Sequence, residues 1–330
     1  MKHKLLFALL AVAAACFQTN AQTFSGGTGT EASPYLISSK ADMEALANTV
    51  NGGNSYTGKH FLLTRNLTAA PDTVTTVIGN SASTPFKGNF DGGGYEIAVR
   101  INVQVNDNAY AGIFGYISGA TIQNLGVSGS VSSSHYSGGI CGEMHNSTIH
   151  NCYNTGSISS SYSSSGGICG GMYYSNSTIT ISNCYNTGSV SSYSSYSFSG
   201  GICGEMYHNY STITISNCYN TGNSCSGGIC GEMRDDTISI SDCYNTGNSC
   251  SGGICVSMCN GTISDCYNTG DFCYSGICGQ MYENGVISNC YNTGDSSSGG
   301  ICGYMSGGTI SYCYNTGSVI AVPLKSQNVL

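Results

Sequence analysis

Apolar residues in this chain recur at fixed places in a unit of 23 to 34 residues, and polar residues fill the intervals. One unit reads Gly138-Gly139-Ile140-Cys141-Gly142-Glu143-Met144 and, after a short gap, Thr148-Ile149-His150-Asn151-Cys152-Tyr153-Asn154-Thr155-Gly156. Its isoleucine returns at Ile168, Ile202, Ile229, Ile254, Ile277 and Ile301, and its second half ends again at Gly188, Gly222, Gly247, Gly270, Gly294 and Gly317. A degenerate copy stands first, with Ile113, Phe114, Ile117, Ile122 and Leu125 in the apolar places, which makes eight copies. A period of this size marks a solenoid, in which each unit buries its apolar face against its neighbours. The segments are short, β-branched or aromatic, and broken by Gly and Asn-Thr-Gly, so they are strands and turns rather than helices.

The pattern predicts an all-β protein, a parallel β-helix of about eight repeat coils spanning 111–317. Coils stacked at about 4.8 Å would make a rod roughly 40 Å long. Ile140 and Met144 share a parity and should face inward, with Glu143 outward. Cys141 alternates with Ile140 and should face outward unless the strand is bulged. Residues 22–110 read as an N-terminal cap and the first coils. Tyr35-Leu36-Ile37 is a strand, and Ser39 to Val50 carries Met43, Leu46, Ala47 and Val50 on one helical face, with Ser39 as N-cap and Gly52 as stop. His60–Leu63 and Phe86–Ile97 are further strands around a Gly-rich turn. Such a segment covers the open end of a solenoid. Residues 318–330 form a tail.

The chain opens Met1-Lys2-His3-Lys4 and runs apolar from Leu5 to Cys16, the pattern of a secretory signal peptide over 1–21, with cleavage after Ala21. The rival is a lipoprotein acylated at Cys16. The apolar run is too short to span a bilayer, and no transmembrane segment follows. The expected location is therefore exported, secreted or at the outer surface of a bacterial cell.

Only 8% of residues are charged, against about a quarter in typical domains, and the net charge is −8. Such a thin, scattered basic content gives no surface for nucleic acid. Recurrent Ile and Tyr argue against disorder.

The GGICGxM and TISNCYNTG halves resemble the GLUG motif of bacterial surface adhesin-like proteins. The segments TEASPYLIS, FKGNFDGGGYEI and GIFGYISGATIQNLG are similar to the module that precedes such repeats in Bacteroidetes proteins. The resemblance implies a right-handed β-helix exported to the cell surface. GLUG repeats also accompany IgA-cleaving metallopeptidases, but the HExxH zinc motif of those enzymes is missing from this sequence.

Candidate chemistry is sparse. Eighteen cysteines follow the leader, two per repeat (Cys141 with Cys152, Cys169 with Cys184, through Cys302 with Cys313) and four extra at Cys225, Cys250, Cys259 and Cys273. An even count in an exported chain suits disulfides. Phe114 and Leu125 at the equivalent places of the first copy suit buried thiol ladders instead. Cys141, His145, His150 and Cys152 have ligand types that zinc accepts, but one repeat alone carries the histidines. No metal and no cofactor is expected. Glu143, Glu205 and Glu232 share one motif position and read as a solvated outer row. Asp235, Asp236 and Asp242 near Arg234 read as solvated turn charge.

Tyrosine is the remaining signal. Tyr153, Tyr185, Tyr219, Tyr244, Tyr267, Tyr291 and Tyr314 should stack as a ladder that stabilises the sheet. Insertions rich in Ser and Tyr lengthen the coils at 157–165, 173–177, 189–199 and 207–211. Tyr offers rigid contact area while Ser and Asn adapt their hydrogen bonds, so the expected ligand-binding residues are Tyr162, Tyr173, Tyr174, Tyr193, Tyr196, Tyr207 and Tyr210. The expected role is an adhesin-like binding or scaffold protein with glycans or host surface glycoproteins as partners, and not an enzyme. The alternatives are a polysaccharide-active β-helix lyase or hydrolase and a purely structural repeat protein.

Overall fold

The computed structural model describes residues 24–104, 109–173, 178–194, 197–207, 212–234, 237–271 and 273–320. They form a parallel β-solenoid whose strands stack in three long ladders. The first holds Phe114–Ser118, Cys141–His145, Cys169–Tyr173, Cys203–Tyr207, Cys230–Arg234 and Cys255–Cys259, and ends in the first halves of Cys278–Ser288 and Cys302–Ser311. The second begins at Tyr35–Ile37 and passes through His60–Leu63, Asn89–Asp91, Thr121–Gln123 and the Thr-Ile-Ser strands. The third runs from Glu96–Val103 through Gly126–Ser133 to the short Tyr-Asn strands ending at Tyr314–Asn315.

The second ladder makes about ten turns, so the rod is longer than eight motif copies suggest. The extra coils lie in 22–110, the region read as a cap and the first coils. Phe61 and Phe90 fall in register with Ile122 and Ile149 and are as deeply buried. Stacking requires an inward apolar residue at each level, and phenylalanine supplies it without the motif. The helix, α1 (Lys40–Asn51), buries Met43, Leu46, Ala47 and Val50, and the Ser39 side chain accepts from the Asp42 amide. Both features agree with the sequence.

The parity conflict at Cys141 resolves as a corner, because the chain bends at Gly139-Ile140 just before the strand begins at Cys141. The amides of Ile140 and Cys141 both donate to the Ile168 carbonyl at 3.1 Å, and the pairing skips from Cys141–Cys169 to Glu143–Gly171. Two successive amides therefore share one carbonyl at the corner, and Ile140, Cys141 and Met144 all face inward at 0% exposure. The same doubled bond recurs at Cys169, Cys203, Cys230, Cys255 and Cys278.

Two sulfur columns follow, one through Cys141 and one through Cys152, and their members stand as free thiols. Burial, then hydrogen bonds within the column, pushes the thiols of Cys169, Cys184, Cys230 and Cys243 well above their usual range, so they are neutral. A third column is polar. Asn154, Asn186, Asn220, Asn245, Asn268 and Asn292 are fully buried, and each amide donates to the next asparagine oxygen at 2.7 to 2.8 Å.

Candidate functional site

The tyrosines expected to bind ligand separate into two places. Tyr162 and Tyr193 project from the insertions of successive coils at 72% and 76% exposure. Their amides donate to Ser134 and Ser160 of the preceding coils, which keeps them on one corner, and His135 lies 6.3 Å from the Tyr162 ring. Tyr173 and Tyr207 instead end strands of the first ladder and pair in register, with ring centroids 6.2 Å apart. Tyr174, Tyr196 and Tyr210 lie outside the described residues.

The carboxylate row lies beside this second pair, and it is not the solvated row that composition suggests. Glu143 and Glu232 are 6% and 4% exposed. The glycine after the motif cysteine, at Gly142, Gly170, Gly204 and Gly231, lets the segment that leads into the preceding coil's strand press against the next strand's outer face. A side chain at Gly204 would meet Ser164, and one at Gly231 would meet Phe198, both under 3.0 Å. The row is thus covered by Tyr110, Tyr136, Ser164 and Phe198 in successive coils.

Each buried acid has a partner. Glu143 accepts from His145 at 2.6 Å, and the Tyr116 hydroxyl contacts the same imidazole. Glu232 forms an ion pair with Arg234 at 2.8 Å. Burial pushes both carboxyls above their usual range, opposed by His145 in one case and Arg234 in the other.

Glu205 differs because its cover is a serine. It is half-buried and accepts from Ser164 Oγ at 3.0 Å. At the level between Glu143 and Glu205 the chain has Gly171, and the Tyr173 ring folds back into that space, 2.6 Å from where a Cβ would stand. Tyr136 donates to the Tyr173 hydroxyl at 3.1 Å. Burial, then the Glu205 charge, raises the Tyr173 phenol, so it stays a donor at any physiological pH. The result is a notch with a carboxylate floor, hydroxyl walls from Ser164 and Tyr173, and an exposed Tyr207 ring at its edge. Neither the row's burial nor the notch was legible in the sequence, because both depend on which segment folds over the strand.

The long tyrosine ladder does something else. Rings from Tyr185 to Tyr291 stack 4.9 Å apart with interplanar angles of 3° to 5°. Their faces are spent on one another, and solvent meets ring edges and hydroxyls, so the column is a sheet stabiliser and no platform for a sugar ring. The four zinc-type residues are not brought together either. Cys141 and Cys152 face the core, and His145 is held by Glu143 on the outside. Asp235 and Asp236 lie outside the described residues, and Asp242 occupies a left-handed corner at φ 53°.

A further surface feature lies at the cap end, a cavity of about 510 Å³ lined in part by Glu31, His60, Asn89, Asp91 and Gln123. Burial raises the Asp91 carboxyl, but hydrogen bonds from Asn124, the Gly93 amide and Gln123 outweigh it and hold the group low.

Residues 133–159 match the family model of the GLUG motif. A protein of Evansella cellulosilytica, described as a candidate Gly-rich membrane protein, is 31% identical over 131 residues, which are 38% of this chain and 14% of that protein. The chain therefore spans a small part of that relative's length. A crystal structure from Bacteroides ovatus, described as that of a candidate immunoglobulin A1 protease, superposes with a TM-score of 0.56 at 21% identity, covering 89% of this chain and 87% of the other. That likeness is one of fold. Among the described residues, no helix is long and apolar enough to cross a membrane.

Proposed function

We propose that this chain is an exported, adhesin-like β-solenoid that binds a glycan or host glycoprotein without cleaving it. The observation that carries the proposal is the Glu205 notch. A half-exposed carboxylate, two hydroxyls and an exposed aromatic ring meet within two coils, and this is the mixture that holds a sugar by its hydroxyls and its apolar face. Tyr162 and Tyr193 extend the contact area from the neighbouring corner. The GLUG match and the solenoid fold support an adhesin-like role, and the leader supports export.

The enzymatic alternative draws on Glu143 with His145 and Glu232 with Arg234, acids with basic partners on one face. Both acids lie under side chains at 6% exposure or less, out of hydrogen-bond reach of a saccharide oxygen. Glu205, the accessible member, stands in register with Glu232 one coil on, and that second carboxylate is held in its ion pair with Arg234 at 4% exposure.

The test is binding of the chain to immobilised mucins, matrix proteins and polysaccharides, with the same wells assayed for released sugar. Tyr207→Ser and Glu205→Gln should each weaken binding about tenfold, consistent with loss of one aromatic or charged contact, and no sugar should be released. Binding that both variants leave unchanged would remove the notch from the interface. Release of sugar would replace a binding role with a catalytic one.

A further inference from the structure

The extra cysteines hold a feature that neither the ladders nor the notch uses. Residues Cys218–Cys230 and Cys243–Cys255 have the same thirteen-residue sequence, CYNTGNSCSGGIC, in successive coils. The two coils stack in register at Tyr219–Tyr244, Asn220–Asn245, Ser224–Ser249 and Gly227–Gly252. The Asn248 amide donates to the Asn223 side chain at 3.3 Å, tying the same turn together. Cys225 therefore sits above Cys250 at the coil repeat of about 4.8 Å. That spacing lies within the Cα separation of about 4.4 to 6.8 Å over which disulfides form.

Both residues are exposed, whereas the thiols of the two inner columns are buried through the middle coils. They share the wall of an open cavity of about 350 Å³ with Val190, Ser224 and Ser249. An oxidant in solution can reach this pair without unfolding the core. From this stacking of two exposed cysteines in identical, in-register turns, we infer that Cys225 and Cys250 are the disulfide-forming pair of this chain, a staple between two successive coils.

The chemistry is a two-electron oxidation by a low-molecular-weight disulfide or a disulfide-carrying thiol oxidase. One S–H bond is lost on each cysteine, one S–S bond forms, two protons leave, and the oxidant's disulfide is reduced to two thiols. The reaction proceeds through a mixed disulfide on one cysteine, which the other resolves. Cys273 follows Cys250 in the next coil, where the sequence changes to Asp-Phe-Cys-Tyr. Gly252 still pairs with Ser275 there, but only the Cys225 and Cys250 turns share one sequence. The matched pair is Cys225 with Cys250.

The experiment treats the native full chain with oxidised glutathione, blocks free thiols by alkylation, and maps chymotryptic peptides without reduction. Cleavage after Tyr219, Tyr244 and Tyr267 separates the two cysteines onto different fragments. We expect one linked species that joins Cys225 to Cys250, and the remaining core thiols recovered as alkylated only after unfolding. The oxidised chain should melt about 5 °C or more above the reduced chain. Cys225→Ser and Cys250→Ser should each abolish the linked species and the difference in melting. Both thiols remaining free after oxidation, a Cys250–Cys273 link, or a link within an inner column would overturn the assignment. None of these outcomes moves the Glu205→Gln and Tyr207→Ser readouts, because the notch lies on the first ladder and the cysteine pair on another.

Discussion

The side-chain amide of Asn154 donates to the Asn186 oxygen one coil away at 2.7 Å and to the Gly156 carbonyl of its own turn at 2.9 Å. Gly156 in turn donates back to Asn154 at 3.1 Å. The Asn-Thr-Gly signature is thus a structural device as much as a turn. The amide neutralises a buried corner carbonyl that no strand partner satisfies, and passes its other capacity to the next coil.

Removing one rung breaks three bonds and leaves buried groups unpaired. Asn220→Ala strands the Gly222 carbonyl, the Asn186 amide proton and the Asn245 oxygen. An unsatisfied buried polar group costs about 1 to 3 kcal/mol, so the variant should lose about 3 kcal/mol. Urea unfolding followed by circular dichroism measures it. A loss below about 1 kcal/mol would mean that the ladder is not a source of stability.

Tyr312 is misplaced by the same logic. The residue before the second motif cysteine is left-handed in every repeat, and Asn or Asp fills it at Asn151, Asn183, Asn217, Asp242, Asp265 and Asn289. The last repeat has Tyr312 at φ 53° and 87% exposed. A left-handed residue other than Gly or Asn costs about 1 to 2 kcal/mol, and little packing is lost with the ring. Tyr312→Asn should therefore stabilise the chain by about 1 kcal/mol, seen as a rise in melting temperature.

Glu143 gives a pH dependence. Burial raises its folded-state carboxyl above the usual range, so the folded chain binds that proton more tightly than the unfolded one. Its contribution is favourable below the ordinary carboxyl value of about 4.3 and is lost as pH rises from there through the folded value. Glu143→Gln keeps an acceptor for His145 and removes the buried charge. The variant should unfold at higher urea than the parent at pH 7, and the gap should close near pH 4. A gap that widens toward pH 4 would reverse the sign.

The sulfur columns should behave as apolar packing. Phe114 pairs in register with Cys141, so the column already accepts a larger side chain at one level. Cys169→Val, close in volume, should cost less than about 1.5 kcal/mol. Cys169→Asp buries a charge without a partner and should abolish folding. Soluble expression and melting curves separate the two.

The sequence by itself determined the solenoid. Ile and Cys at fixed places, Asn-Thr-Gly turns and a period near 25 residues leave one way to bury the apolar face, and α1 was set by Ser39, Gly52 and one apolar stripe. The stacked tyrosines followed from register alone. What the sequence left open was decided by contacts between coils. Strict alternation puts Cys141 outside, and the corner at Gly139-Ile140 that turns it inward is set where the Ile140 and Cys141 amides share the Ile168 carbonyl. Glu143, Glu205 and Glu232 are one motif position, yet two are buried and one is open. The difference lies in the segment folded over each, Tyr110 and Phe198 in two cases and Ser164 in the third. Local pattern fixes which residues share a face of a coil; what lies over that face comes from residues some 30 to 40 positions away, and a one-dimensional period carries no record of it.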